Sequence, residues 1–136
     1  MVKSNVILAM IEKAKKALKN AYVPIDNFRV GCCLYTNDEK FYSGCNIEVT
    51  PISLTLCAET VAIGCMIADA GERKIIDVVI MSDKVDECPP CGSCRQRLLE
   101  FADTNTTIHL VSKNGNVIKS LPLVALLPEP FIWKKV

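Results

Sequence analysis

CAETVAIGCMIADAGERKIIDVVIMS, residues 57–82, is the stretch whose reading decides the fold. Its first part, CAETVAIGCMIADAG, has the length of a helix and stops on Gly71, a residue suited to a C-cap. Its last part, IIDVVIMS at 75–82, is β-branched and mostly apolar, the composition of a strand buried on both faces. A helix followed closely by a buried strand is the repeating step of a layered α/β domain.

The same alternation runs outward from this stretch. Upstream, Ile7, Met10, Ile11, Ala14 and Leu18 recur at helical spacing, with Ser4 as the expected cap. Tyr22–Asn27 contains Pro24 and reads as a connection; Phe28–Tyr35 and Lys40–Cys45 read as strands joined by the polar turn TNDE. Downstream, Pro89 and Pro90 open a helix over CGSCRQRLLEFA. Thr107–Ser112 and Val117–Lys119 then flank Asn114-Gly115 as paired strands. Neighbouring Cys32 and Cys33 would point to opposite faces of their strand. With Cys45 and Cys65 they read as small core residues. The single histidine, His109, lies in the apolar run TIHLVS and reads as a partly buried structural residue.

A chain of 136 residues predicts one domain, 1–136, able to bury a single core. Sixteen basic against fifteen acidic residues leave a net charge of +1, which offers a polyanion no attraction. A small substrate, and neither nucleic acid nor membrane, is the expected partner. Prolines interrupt the apolar stretch LPLVALLPEPFIW, and Val6–Ile11 is short for a secretory signal. A cytoplasmic location is therefore expected, and in a reducing compartment the eight cysteines read as thiols, metal ligands or catalytic groups.

Three of those cysteines carry the chemistry. Cys91-Gly-Ser-Cys94 has the spacing that lets two thiolates hold one ion, and Cys57 opens a helix two residues before Glu59. Thiolates suit helix N-termini, where unpaired backbone N–H groups and the positive dipole end stabilise an anion. Three thiolates and a fourth position left for water describe a catalytic Zn²⁺ centre, with Glu59 placed to move protons. Other readings stay open at this point. Cys88, Cys91 and Cys94 form C-x₂-C-x₂-C, the start of an iron–sulfur ligand run. Cys91 and Cys94 have redox-pair spacing. Cys57, Cys88, Cys91 and Cys94 together would close a non-catalytic structural zinc site, which would leave Glu59 without a role.

The chain resembles the cytidine deaminase family, of the short-chain, three-cysteine zinc type. The resemblance is carried by NFRVG at 27–31, GCNIE at 44–48, CAE at 57–59, PCGSCRQ at 90–96 and LLPEPF at 126–131, in that order. It implies a three-layer α/β fold with a mixed five-stranded sheet flanked by helices. It implies one Zn²⁺ per chain on Cys57, Cys91 and Cys94, with Glu59 as the proton shuttle. Hydroxide attack at C4 of a pyrimidine nucleoside, with loss of ammonia, would turn cytidine into uridine and 2′-deoxycytidine into 2′-deoxyuridine. Asn46 and Glu48 would contact the ribose hydroxyls and Phe28 would line the base pocket. Phe131 would stack on the base from a neighbouring subunit of a homotetramer.

Two departures from the family pattern stand out. Most members read CAER, whereas this chain has CAET. Three thiolates around Zn²⁺ leave a formal charge of −1, which an arginine after CAE would offset and Thr60 does not. Arg95 is the residue expected to carry that compensation. The second departure is Ile52, beside Pro51, where an aromatic is common. Blasticidin S deaminase, a relative that also lacks the arginine, makes a cytosine nucleoside antibiotic the alternative substrate. NFRVG and the intact NIE favour the ribonucleoside. Polynucleotide editing is a third possibility, disfavoured by near-neutral charge and little sequence beyond the core.

Overall fold

The computed structural model describes residues 2–133. Five strands form one mixed sheet in the order β2-β1-β3-β4-β5. They are β1 (Val30–Thr36), β2 (Phe41–Cys45), β3 (Ile75–Ser82), β4 (Ala102–Val111) and β5 (Val117–Pro122). β1 is antiparallel to both β2 and β3, β3 is parallel to β4, and β5 is antiparallel to β4. The parallel pair needs a crossover, and helix α3 (Gly92–Phe101) supplies it. The IIDVVIMS strand is central, with seven of its eight residues buried, as its unbroken apolar run requires.

Helix α1 (Lys3–Lys19) covers one face, while α2 (Ala58–Ala70), α3 and the short α4 (Leu123–Leu126) cover the other. The expected three-layer α/β arrangement is therefore the observed one. Strand alternation divides the core. Val6, Met10, Ile11, Ala14 and Leu18 of α1 pack on Cys33, Val79 and Met81, while Cys32, Val78 and Ile80 face Ala62, Met66 and Leu98. The adjacent thiols of Cys32 and Cys33 thus lie in different cores, as their strand position predicts.

Two glycines set how closely the helices approach. A Cβ on Gly31 would lie 2.2 Å from the Ala14 carbonyl oxygen, and one on Gly44 would lie 2.5 Å from both Ala58 O and Ala62 N. Each glycine is a strand residue over which a helix backbone passes too near for any side chain. Gly44 therefore fixes the height of α2, which carries part of the candidate site.

Several boundaries differ from the sequence reading. Ser4 lies inside the first turn of α1, which begins at Lys3 without a side-chain cap. β1 starts at Val30 rather than Phe28, because Asn27 has φ 53° and turns the chain. β4 starts at Ala102, before the expected Thr107, and its register with β3 shifts between Ile75 and Asp77. Thr106 holds that irregularity by donating to Ile75 O at 2.6 Å while accepting from Asp103 N at 2.9 Å. Cys65 is exposed and Cys45 only half-buried, so Cys65 is not a core residue. It falls on the outer face of α2, whose apolar content conceals its helical stripe.

His109 is buried on β4. Its Nε2 lies 2.8 Å from Asp77 Oδ1 and its Nδ1 2.7 Å from Ser120 Oγ. Lys3 reaches the other oxygen of Asp77, tying the start of α1 to the central strand. The Asp77 carboxyl is pushed up by burial, but hydrogen bonds from His109 and Lys3 outweigh this and hold it below its ordinary value. This is the structural role that the sequence assigns to the histidine.

Candidate active site

Helices α2 and α3 start next to one another, and the residues that precede them become neighbours. Cys57 is the N-cap of α2 and Cys91 the N-cap of α3, with Cys94 in the first turn of α3. Their three sulfurs lie within 4.8 Å of one another, and Cys57 Sγ is 3.7 Å from Cys91 Sγ. Tetrahedral zinc with Zn–S bonds of about 2.3 Å needs sulfurs about 3.8 Å apart, so this donor set fits the ion. The helix starts also favour the thiolate forms that such an ion requires.

The thiols share protons unequally. The Cys57 thiol is pulled down to about 6, first by a hydrogen bond from Cys94 and then by one from Cys91, against burial and the Glu59 carboxylate. The Cys94 thiol is pushed far up as the donating partner, with burial and Glu59 adding to the effect. Cys88 is outside the cluster and is pushed up to about 11 by burial and then by Glu59. With Cys88 outside it, the metal-ligating group among the described residues is open, with three sulfurs instead of four.

Glu59, in the first turn of α2, is 4% exposed. Burial raises its carboxyl above the ordinary value, and the adjacent Cys94 thiol draws it partly back. A small cavity of about 170 Å³ opens over this floor. Glu59, Cys57 and Cys91 line it together with Asn46, Thr55 and Cys88. The structure thus brings a buried acid, two thiols of the three-thiol cluster and an amide side chain to one small space.

The remaining sequence-expected residues are placed as follows. Asn46 braces the start of β1, accepting from Val30 N at 2.9 Å and donating to Phe28 O at 2.8 Å. The buried Glu48 carboxylate accepts from Ile25 N at 3.1 Å and Asp26 N at 3.0 Å, closing the preceding loop. Neither Glu48 nor Phe28 is among the residues that line the cavity. Phe131 is 70% exposed and lies beside Gln96, whose Nε2 donates to its carbonyl at 2.8 Å, away from the cavity of its own chain. Thr60 Oγ1 is 3.6 Å from Cys94 Sγ, a neutral contact to sulfur. Arg95 is engaged elsewhere, donating to Pro90 O at 2.8 Å and Leu126 O at 2.9 Å.

Sequence reading missed three residues. Thr55 presents a buried hydroxyl with no partner among the described residues and forms part of the cavity wall. Ser93 Oγ lies 3.2 Å from Cys91 Sγ, and Arg97 Nη1 donates to Ser93 Oγ at 3.0 Å. The i, i+4 spacing of Ser93 and Arg97 on a helix beginning at CxxC was the available signal for the last two.

A family model described as the cytidine and deoxycytidylate deaminase zinc-binding region matches residues 4–110. The chain belongs to this deaminase family. A cytidine deaminase of Sporosarcina psychrophila is 36% identical over 122 residues, spanning 90% of this chain and 88% of the relative. One from Mycoplasma genitalium is 37% identical over 123 residues, covering 90% of this chain and 92% of the other. The crystal structure of the Burkholderia pseudomallei cytidine deaminase superposes with a TM-score of 0.84 at 34% identity, covering 96% of this chain and all of that one (100%). The Mycobacterium tuberculosis cytidine deaminase gives a TM-score of 0.82 at 28% identity, covering 98% of this chain and 100% of its own. The chain is accordingly a zinc-dependent hydrolytic deaminase, with a fold shared by these relatives. Among the described residues no helix is long and apolar enough to cross a membrane.

Proposed function

We propose that this deaminase converts cytidine and 2′-deoxycytidine into uridine and 2′-deoxyuridine, releasing ammonia. The observation that carries the reading is the buried Glu59 carboxylate beside three clustered thiols, two of which, Cys57 and Cys91, line one small cavity with it. Zinc held by Cys57, Cys91 and Cys94 supplies Lewis acidity, which makes water acidic enough to deprotonate near neutral pH. Glu59 takes a proton from the attacking water and returns protons to the ring and to the departing amino group. The sum is one water consumed and one ammonia released. The burial of Glu59 suits this work, because a carboxylate whose pKa is raised toward neutrality takes up a proton more readily than an exposed one and can still pass it on.

Asn46 is proposed to present its remaining hydrogen-bonding capacity to the sugar. The same sugar role is proposed for Glu48, whose carboxylate keeps acceptor capacity beyond its backbone bonds, and a base-pocket role for Phe28. The cavity volume of about 170 Å³ supports a division of labour, since whole-ligand pockets run to roughly 300–1,000 Å³. The ring fits inside, and the sugar lies at the chain surface. We infer a homotetramer whose neighbouring subunit completes the site with Phe131. Support comes from exposed Ile52, Leu54 and Leu56 just before α2, and from exposed Phe131, Ile132 and Trp133. Eight free cysteines, three of them gathered at the proposed metal site, support a reducing cytoplasm, and turnover of free cytidine there would serve pyrimidine salvage.

The test is an ultraviolet deamination assay over cytidine, 2′-deoxycytidine, a cytosine nucleoside antibiotic and single-stranded polynucleotide, with zinc measured on the same sample. The expected result is one zinc per chain and turnover of the two free nucleosides. Turnover of the antibiotic or the polynucleotide alone overturns the substrate assignment.

A further inference from the structure

Three thiolates and one Zn²⁺ sum to a charge of −1, and a surplus of negative charge makes metal-associated water harder to deprotonate. The residues near the sulfurs differ in what they offer against this charge. Thr60 brings a neutral hydroxyl to Cys94 at 3.6 Å. Arg95 directs both of its hydrogen-bonded nitrogens at carbonyl oxygens. Arg97, one turn beyond Ser93 on α3, donates from Nη1 to Ser93 Oγ at 3.0 Å, and that oxygen lies 3.2 Å from Cys91 Sγ.

The donor inventory fixes the direction of this chain of contacts. Guanidinium nitrogens only donate, so Ser93 Oγ is the acceptor from Arg97. A hydroxyl carries one proton, which is then free to point at sulfur. A hydroxyl that accepts from a cation is also a stronger donor, because successive hydrogen bonds polarise one another. The result is a directed relay from Arg97 through Ser93 to the Cys91 thiolate.

We propose that Arg97, acting through Ser93, supplies the positive charge that offsets the three thiolates, in place of an arginine at position 60. This rests on Cys57, Cys91 and Cys94 being the zinc ligands. Arg97 and Ser93 are positioning residues: Ser93 touches a ligand, Arg97 acts through Ser93, and neither is placed at the reacting atoms. The geometry also explains how a threonine is accommodated after Cys-Ala-Glu: the compensating cation reaches the sulfurs from the other helix.

The test uses purified holoenzyme. Zinc affinity is measured by competition with a chromogenic chelator, and kcat and KM are measured alongside. Ser93 and Arg97 are both exposed, so substitutions there leave the core untouched. Outer partners of metal ligands contribute about 10–100-fold in affinity, and solvent screening of an exposed charge lowers the expectation here to about fivefold. Arg97→Gln and Ser93→Ala should each weaken zinc binding by that factor. The double variant should be no weaker than either single one, and Arg97→Lys should lose less than Arg97→Gln. Adding Thr60→Arg to Arg97→Gln should restore retention. Wild-type zinc affinity in either single variant overturns the relay, as does a double variant showing the product of the two losses. Failure of the ligand assignment itself looks different: the unsubstituted protein would hold no zinc, or Cys88→Ala would release it.

Discussion

Gly44→Ala tests the geometry of the site at a position that touches no substrate. The new Cβ would sit 2.5 Å from Ala58 O and Ala62 N, where ordinary contact begins at 3.4 Å. Relief therefore requires a separation of roughly 1 Å between β2 and α2, since the opposing atoms are backbone on both sides. β2 cannot yield alone, because Gly44 is paired with Cys32 in the sheet. The helix must move, and the atom it is pushed by belongs to Ala58, between Cys57 and Glu59. Overpacking of this kind costs about 1–3 kcal/mol, and rigid backbone on both sides points to the upper end. At roughly 3–5 °C per kcal/mol for a chain of this size, the melting temperature should fall by about 10 °C. A displacement near 1 Å should lower kcat about 100-fold. Gly64→Ala is the matched control on the same helix: beyond its own helical turns, no atom of the described residues lies within 4 Å of its Cβ, and it should gain about 0.5–1 kcal/mol. Calorimetry and ammonia release on both variants suffice. A Gly44→Ala enzyme with the melting temperature and kcat of the unsubstituted one would refute the claim that this contact sets the position of Glu59.

Glu59→Gln should keep one zinc per chain while lowering kcat by at least about 100-fold, the usual worth of a positioned acid–base group. Loss of zinc together with activity would count against its role as proton carrier. Cys88→Ala should retain the metal and Cys91→Ala should lose it, checked by metal analysis after dialysis; loss of metal from both would restore the closed four-cysteine site. Asp77→Asn should lower stability at neutral pH by about 1–2 kcal/mol, since Asn still accepts from His109 but loses the charge that faces Lys3. Because folding depresses the Asp77 carboxyl, its contribution is full above the unfolded value near 3.9 and disappears as pH falls through the folded one. Urea midpoints measured from pH 7 downward should therefore converge below about pH 4; a constant gap between the two proteins would refute the linkage.

Periodicity and composition made the layers of the fold legible. IIDVVIMS reads as a strand buried on both faces, and it occupies the centre of the sheet over the same residues, Ile75–Ser82. Alternation likewise sent Cys32 and Cys33 to opposite cores. Where local and tertiary preferences separate, the reading was less complete. The β4 irregularity depends on Thr106 meeting Ile75 O, a contact thirty-one residues away that no local pattern encodes. Cys65 misled because α2 is apolar around most of its circumference. At the site, spacing singled out Cys57, Cys91, Cys94 and Glu59, and the fold gathers them. The engagement of Arg95 with carbonyls was not legible, since its partners lie outside its helix, whereas the i, i+4 spacing of Ser93 and Arg97 was a signal left unused.

The sheet separates two cores, and its two adjacent cysteines sit one in each. Burial pushes the Cys33 thiol up to about 12, and burial followed by Glu59 raises that of Cys32 well above its ordinary value. Both are therefore inert while their own layer stays closed. Transient detachment of α1 would uncover Cys33 alone, and opening of the zinc-bearing layer would uncover Cys32 alone. One dipeptide thus carries a separate clock for each half of the molecule, and thiol-modification rates resolved by residue would time the breathing of the catalytic layer independently of its support.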